Sequence, residues 1–274
     1  MAINKDPKRT LGYVITVSLE IALDIKDLDL LKGLQAYFGV GGIYKHSGNM
    51  MRYKVSSARD LARVVIPHFE KYPLVTQKRA DFEIFKSAIG ILNSGGISSE
   101  ELQKIVNLRA SLNRGLSSTL QASFPNTVPV ERRFIPFIAP LHPLWVVGFA
   151  DAESNFYIGF TKKSSCKLGM TARLVFALTQ HSRDKNLLQG FIEFFGCGYY
   201  TERNNKLAGD FKVYNLEDIS SKIIPFFLKY PLMGSKLLPF NDFCKAANII
   251  NEKGHLTQEG LDMLQNIKSR TGTI

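Results

Sequence analysis

The sequence is poor in the features that most often announce a function. It has three cysteines, Cys166, Cys197 and Cys244, odd in number and far apart, which argues against a disulfide scaffold or a zinc cluster. Its five histidines are equally scattered, with no HExxH and no ligand pair with cysteine. No apolar run approaches the roughly 20 residues of a membrane-spanning helix. The opening MAINKDPKRTLGY lacks the apolar centre of a secretion signal. A reducing, non-secreted compartment and no membrane partner are therefore expected. Acidic residues are also scarce: 35 lysines and arginines face 24 aspartates and glutamates, a net charge of +11. So basic a balance points to a polyanionic partner, most often nucleic acid. With 274 residues, 45% of them hydrophobic, the chain can bury a sizeable core in one large domain or two ordinary ones.

What the chain does contain is an internal repeat. Leu11-Gly12 returns 157 residues later as Leu168-Gly169. At that same offset Lys26–Leu31 falls on Arg183–Leu188, and Tyr37-Phe38-Gly39-Val40-Gly41 falls on Phe194-Phe195-Gly196-Cys197-Gly198. One residue later in register, Ile66-Pro67-His68-Phe69-Glu70-Lys71-Tyr72-Pro73-Leu74 matches Ile224-Pro225-Phe226-Phe227-Leu228-Lys229-Tyr230-Pro231-Leu232. The chain is a tandem duplication: a first repeat over 1–123, a proline-rich extended linker over 124–142, and a second repeat over 143–274.

Each copy is built alike. Tyr13 to Leu23 alternates as one half-buried strand, with Ile15, Val17, Leu19, Ile21 and Leu23 inward. In the second copy Ala172, Leu174, Phe176 and Leu178 point inward, and Thr171, Arg173, Val175, Ala177 and Thr179 outward. Helical spacing follows over 27–38 and 184–195. Glycine turns then open a hairpin whose return strand carries Arg52 and Lys54, or Lys212 and Tyr214, on its outer side. Further helices are expected over 58–69, 77–92 and 99–113, and over 216–227, 235–250 and 258–268. Each copy thus has an antiparallel sheet with one apolar and one polar or basic face. Such a ribbon fits the major groove, where base edges are readable, with basic side chains on phosphates.

One stretch stands apart: Leu144-Trp145-Val146-Val147-Gly148-Phe149-Ala150-Asp151-Ala152-Glu153-Ser154. His142-Pro143 supply helix-entry chemistry, and an apolar helix ends in two carboxylates around an alanine, directly before a strand. Val146 to Ser154 resembles the LAGLIDADG motif. With the two repeats and the Lys-Tyr-Pro-Leu elements, nearly the whole chain resembles the monomeric, two-repeat homing endonucleases of mitochondrial group I introns. The resemblance implies an α+β fold of two αββαββα repeats about a pseudo-twofold axis, with two antiparallel β-saddles in the major groove of double-stranded DNA. It implies site-specific, metal-dependent phosphodiester hydrolysis with magnesium or another divalent cation. It also implies encoding in the mitochondrion.

Carried over by residue, the resemblance makes Glu153, with Ala152 beside it, the metal site. Gln180 falls at a position that orders active-site solvent, and Lys236 with its counterpart Lys78 falls where a lysine assists the scissile phosphate. Candidate DNA-contacting residues are Thr16, Ser18, Glu20, Arg52 and Lys54 in the first saddle, and Lys162, Thr171, Arg173, Lys212 and Tyr214 in the second. Two departures stand out. Val147 replaces a small residue at the expected contact between motif helices, and the first repeat shows no motif. Either the protein lacks that helix, leaving one acid where two strands need two and allowing only binding or nicking, or Met1 is an internal methionine of a longer reading frame. A start partway into a strand favours the latter. The alternative function is an RNA-binding maturase that assists splicing of its own group I intron.

Overall fold

A computed structural model describes residues 1–112, 115–137, 140–204 and 207–270. The chain divides into two compact units, Met1–Pro136 and Phe137–Ile274.

In the first unit β1 (Ala2–Lys5) pairs antiparallel with β2 (Tyr13–Thr16), and β3 (Leu19–Asp24) pairs with β5 (Met50–Val55), which also holds β4 (Gly42–Lys45). The single strand expected over 13–23 is therefore two. The ladder with β1 ends at the Ala2–Thr16 pair and that with β5 begins at Leu19–Val55. Val17 and Ser18 fall between the two ladders and pair with neither. Alternation still sets the faces. Tyr53 and Val55 are fully buried with Val17, Leu31, Leu61 and Val65, while Glu20, Arg52 and Lys54 line the opposite side. The one polar atom that Tyr53 takes inside is satisfied, its hydroxyl donating to Val40 O at 2.7 Å.

The second unit follows the same plan with an unbroken sheet. β6 (Ser154–Lys162) pairs along its whole length with β7 (Met170–His181), which continues to β9 (Ala208–Val213) and β8 (Tyr199–Glu202). Phe156, Phe176, Phe211, Phe227, Phe240 and Phe243 are buried on its inner face, where the ring of Phe176 lies within 6.3 Å of those of Phe156, Phe211 and Phe227. The alternation places Val175 and Ala177 outward. They are on the outer face but only 7% and 9% exposed. The register sets Tyr157 opposite Val175, and Asn155 and Lys212 on either side of Ala177, so longer side chains cover the shorter ones.

The expected helices form, the one expected over 99–113 as Ser99–Ala110 with position 113 outside the described residues, and a short helix Ser118–Ser123 and two π-turns are added. The segments 58–71 and 216–229 each contain a π-turn, Leu61–Val65 and Ile219–Ile223, closed by Ile66 N–H to Leu61 O and Ile224 N–H to Ile219 O. The cause lies one residue on. Pro67 and Pro225 have no N–H to give and would crowd the carbonyl four residues back, and a wider turn relieves that contact.

The 124–142 segment contains no helix or strand among its described residues. Its first part is pinned to the first unit. Gln77, 7% exposed, donates through Nε2 to Ile135 O (2.7 Å) and accepts from Ile135 N (3.2 Å), while Arg132 bonds Asp81 Oδ1 (2.9 Å) and Gln77 O (3.1 Å). Ser111 Oγ adds a bond to Val130 O at 2.6 Å.

Candidate nuclease site and nucleic-acid interface

The helix Pro143–Glu153 is entered through His142, whose Nδ1 accepts from Leu144 N (3.2 Å), with Pro143 in the first turn. Val146, Val147 and Ala150 are buried. The exposed stripe of this helix is Leu144, Gly148 and Ala152, four residues apart. Val147, expected at a contact between motif helices, is not part of that stripe.

The helix ends at Glu153 and β6 begins at Ser154 with no loop between them. Ser154 N–H still closes the last turn on Ala150 O, while the Ser154–Leu178 pair opens the β-ladder. Glu153 is thus held at a junction where neither neighbour has freedom, and it is exposed there. Its companion acid is engaged elsewhere: Asp151 accepts from Met233 N (3.0 Å) and Gly234 N (3.1 Å), one through each carboxylate oxygen. That latch ties the motif helix to the turn leading into the helix Leu237–Asn251. Two residues beyond it, Lys236 returns its ammonium to Ser154 O at 2.7 Å. The latch and the Lys236 bond bracket Glu153, and Asp151 is a structural partner that the sequence alone did not assign.

Gln180 lies two residues past the Leu178 partner of Ser154, at the same end of the sheet as Glu153. Its Oε1 accepts from His181 N (2.9 Å). Glu153 and Gln180 thus lie at one end of the β6–β7 ladder, and Lys236 is bonded to the backbone of Ser154 next to Glu153; Lys78 begins the helix Lys78–Leu92 at the matching place of the first unit.

No group of three or more His, Cys, Asp or Glu side chains suited to a metal occurs among the described residues. One exposed carboxylate at a helix end, beside the Ala152 backbone, nonetheless suits magnesium. That ion keeps several waters and is typically held by one or two carboxylates with substrate phosphate completing the shell. Glu153 and Ala152 would hold it.

The outer faces carry most of the expected contact residues. In the first unit Glu20 gathers Ser18 Oγ (2.8 Å), Lys54 Nζ (3.0 Å) and Arg52 Nη1 (2.6 Å), and Arg52 also meets His46 Nδ1. Burial opposes the Glu20 charge, but the bonds from Ser18, Lys54 and Arg52 outweigh it and hold the carboxyl at about 2. Thr16 stands apart at the end of β2. In the second unit Arg173 lies over the ring of Tyr214 (5.4 Å), which stacks on Tyr199 (5.6 Å). Lys212 sits beside them and binds Asp210 at 2.9 Å. Thr171 and Lys162 are at the far end of the β6–β7 ladder. Arg203, which also binds Asp210, belongs to this face but was not expected there. The alternation Tyr199, Thr201, Arg203 along the outgoing hairpin strand would have found it.

These features define a class: a duplicated α+β protein whose sheets offer basic outer faces and whose motif helix delivers an acid at a helix–strand junction. The chain belongs to the LAGLIDADG endonuclease family, whose model matches residues 1–89 and 146–247. It is 36% identical over 272 residues to a probable intron-encoded endonuclease 3 of Neurospora crassa, covering 98% of this chain and 51% of that protein, so it spans about half the length of that curated relative. Among solved structures it is similar to the homing endonuclease I-SmaMI bound to cleaved DNA, with a TM-score of 0.96 at 36% identity over 99% of this chain and 91% of the other. The same enzyme bound to uncleaved target DNA with calcium ions matches with a TM-score of 0.95 at 36% identity, covering 98% and 92%.

Proposed function

We propose that the protein is a site-specific DNA endonuclease that hydrolyses phosphodiester bonds with a divalent cation, magnesium by preference, acting as a single chain. The observation that carries this reading is the bracketed junction: Glu153 exposed between the Asp151 latch and the Lys236 bond to Ser154 O. A cation held there by Glu153 and the Ala152 backbone would neutralise phosphate charge and lower the pKa of water bound to it. The chain's own groups do the rest. Glu153 supplies the hard anionic oxygen and the Ala152 backbone lies beside it. Lys236 holds a positive charge next to the phosphate, with Lys78 as its counterpart in the first unit. Gln180 Nε2 orients solvent. The two outer faces bind the major groove of double-stranded DNA through Thr16, Ser18, Glu20, Arg52 and Lys54, and through Lys162, Thr171, Arg173, Lys212 and Tyr214.

The relatives reported above are named as endonucleases, which favours DNA cleavage over the splicing role. Together with the intron-encoded relative, the resemblance supports an origin in a mitochondrial intron. No helix among the described residues is long and apolar enough to cross a membrane.

The test is to select the chain's preferred duplex, place it in a supercoiled plasmid, and follow nicking or linearisation with magnesium and with chelator. Wild type is expected to cut only with the metal. Glu153→Gln should cut at least about a hundredfold more slowly while binding the site as before. Sequence-selective binding that never appears, or E153Q cutting at the wild-type rate, would overturn the reading.

A further inference from the structure

The outer face of the second sheet contains an acid that the site above does not use. Asp210 on β9 is 1% exposed and sits opposite Thr179 in the ladder. Its carboxylate takes four bonds: from Thr179 Oγ1 to Oδ1 (2.6 Å), from Arg203 Nε to Oδ2 (2.8 Å), from Arg203 Nη2 to Oδ1 (2.6 Å) and from Lys212 Nζ to Oδ2 (2.9 Å). So enclosed a group reaches neither a base nor a phosphate. It also weakens the attraction of this face for a polyanion, so affinity is not what it contributes.

What faces outward is its partners. The Arg203 side chain is 41% exposed and that of Lys212 25%. Arg203 sits at the β8–β9 hairpin, its N–H bonded to Ala208 O at 3.0 Å. Asp210 engages the Nε edge of its guanidinium, and Nη2 also reaches Thr179 Oγ1 at 2.9 Å. Among the described residues nothing accepts from Nη1, which is left as the outward donor. A long cationic side chain loses rotamer freedom when it docks on a base, and one already clamped has less to lose.

We propose that Asp210 is a positioning residue for base recognition: it locks Arg203 and Lys212 as outward donors aimed at acceptor edges in the duplex major groove, guanine O6 and N7 above all. The inference rests on the endonuclease reading and names the side chains that carry specificity within it. The first sheet has the same design with one difference. Glu20 is clamped by Ser18, Arg52 and Lys54, but its side chain is 34% exposed. Glu20 can therefore also accept from a base amino group, as Asp210 cannot.

The test selects sequences from a randomised duplex library with the full 274-residue chain, as wild type, Asp210→Asn, Arg203→Lys and the double variant. Binding to an unrelated duplex serves as the control. Wild type is expected to enrich a defined sequence. D210N and R203K should each lose, by about tenfold, the guanine preference at the same one or two base pairs. The double variant should lose no more than either alone, as residues acting through one contact do. Binding of the unrelated duplex should persist in D210N, which loses a negative charge; a merely structural acid would blur every position and weaken both kinds of binding. Thr179→Val, which removes one bond and keeps the carboxylate, should weaken the same preference if D210N does not fold. Unchanged preferences in D210N or T179V, or losses at different base pairs in R203K, overturn the proposal alone. A wild type that enriches no sequence overturns the endonuclease reading and this inference with it.

Discussion

Asp151 and Glu153 are two residues apart in one motif, yet one is anchored by backbone N–H groups and the other is exposed. Nothing in the order Asp-Ala-Glu separates them. The separation comes from two backbone N–H groups, Met233 and Gly234, more than 80 positions away that close on Asp151. The motif singles out Glu153 as a candidate from sequence; nothing local singles out Arg203 and Asp210, because the contacts that join them exist only across a hairpin and a ladder. The clamped acids make a pH prediction. Asp210 and Glu20 are each held at about 2 against ordinary values near 4, burial opposing the charge and hydrogen bonds from Thr179, Arg203 and Lys212, or from Ser18, Arg52 and Lys54, overriding it. A carboxyl whose folded pKa lies below its unfolded one adds stability that is complete above about pH 4 to 5 and is lost as pH falls towards 2. Thermal melts should therefore drop steeply between pH 4 and pH 2 in wild type. In D210N and E20Q they should start lower at neutral pH and fall less over that window. Parallel pH curves for wild type and variants would contradict this.

Among the elements, the helices formed where apolar spacing put them, since one buried stripe of 3.6-residue period needs no distant partner to be recognised. The strands were harder. Tyr13 to Leu23 alternates as cleanly as Met170 to His181, yet only the second is one strand, because strand continuity depends on what lies beside it. The π-turns before Pro67 and Pro225 were likewise hidden in helical patterns. The hairpins make a sharper case. Gly41 (φ 84°) and Gly198 (φ 81°) hold left-handed backbone, and a Cβ there would stand 2.6 Å from Lys54 O and 2.7 Å from Lys212 O. Gly41→Ala and Gly198→Ala should each destabilise by more than about 1 kcal/mol. Gly33→Ala, inside the helix Leu28–Phe38 with open space at its Cβ, should stabilise by roughly 0.5–1 kcal/mol. Urea midpoints moving in opposite directions would bear this out, and equal shifts would not.

For the molecule as a whole, the +11 charge and the clamped basic faces predict binding dominated by phosphate contacts. Affinity for duplex DNA should fall by a factor on the order of 10³ between 50 and 200 mM salt, as expected for about six such contacts. Titrations at several salt concentrations check this, and a flat response would rule out an electrostatic interface. Duplication, the motif helix, the sheet faces and the basic charge were all legible in the order of residues, because each is a local period, a repeated string or a sum. The latch of Asp151 on the turn before Lys236, the clamp of Asp210 on Arg203 and Lys212, the split of the first strand and the pinning of 124–136 by Gln77 and Arg132 were decided only in three dimensions. Each joins groups far apart in the chain or on facing strands. A hydrogen bond acts over about 3 Å of space whatever the number of residues between its partners.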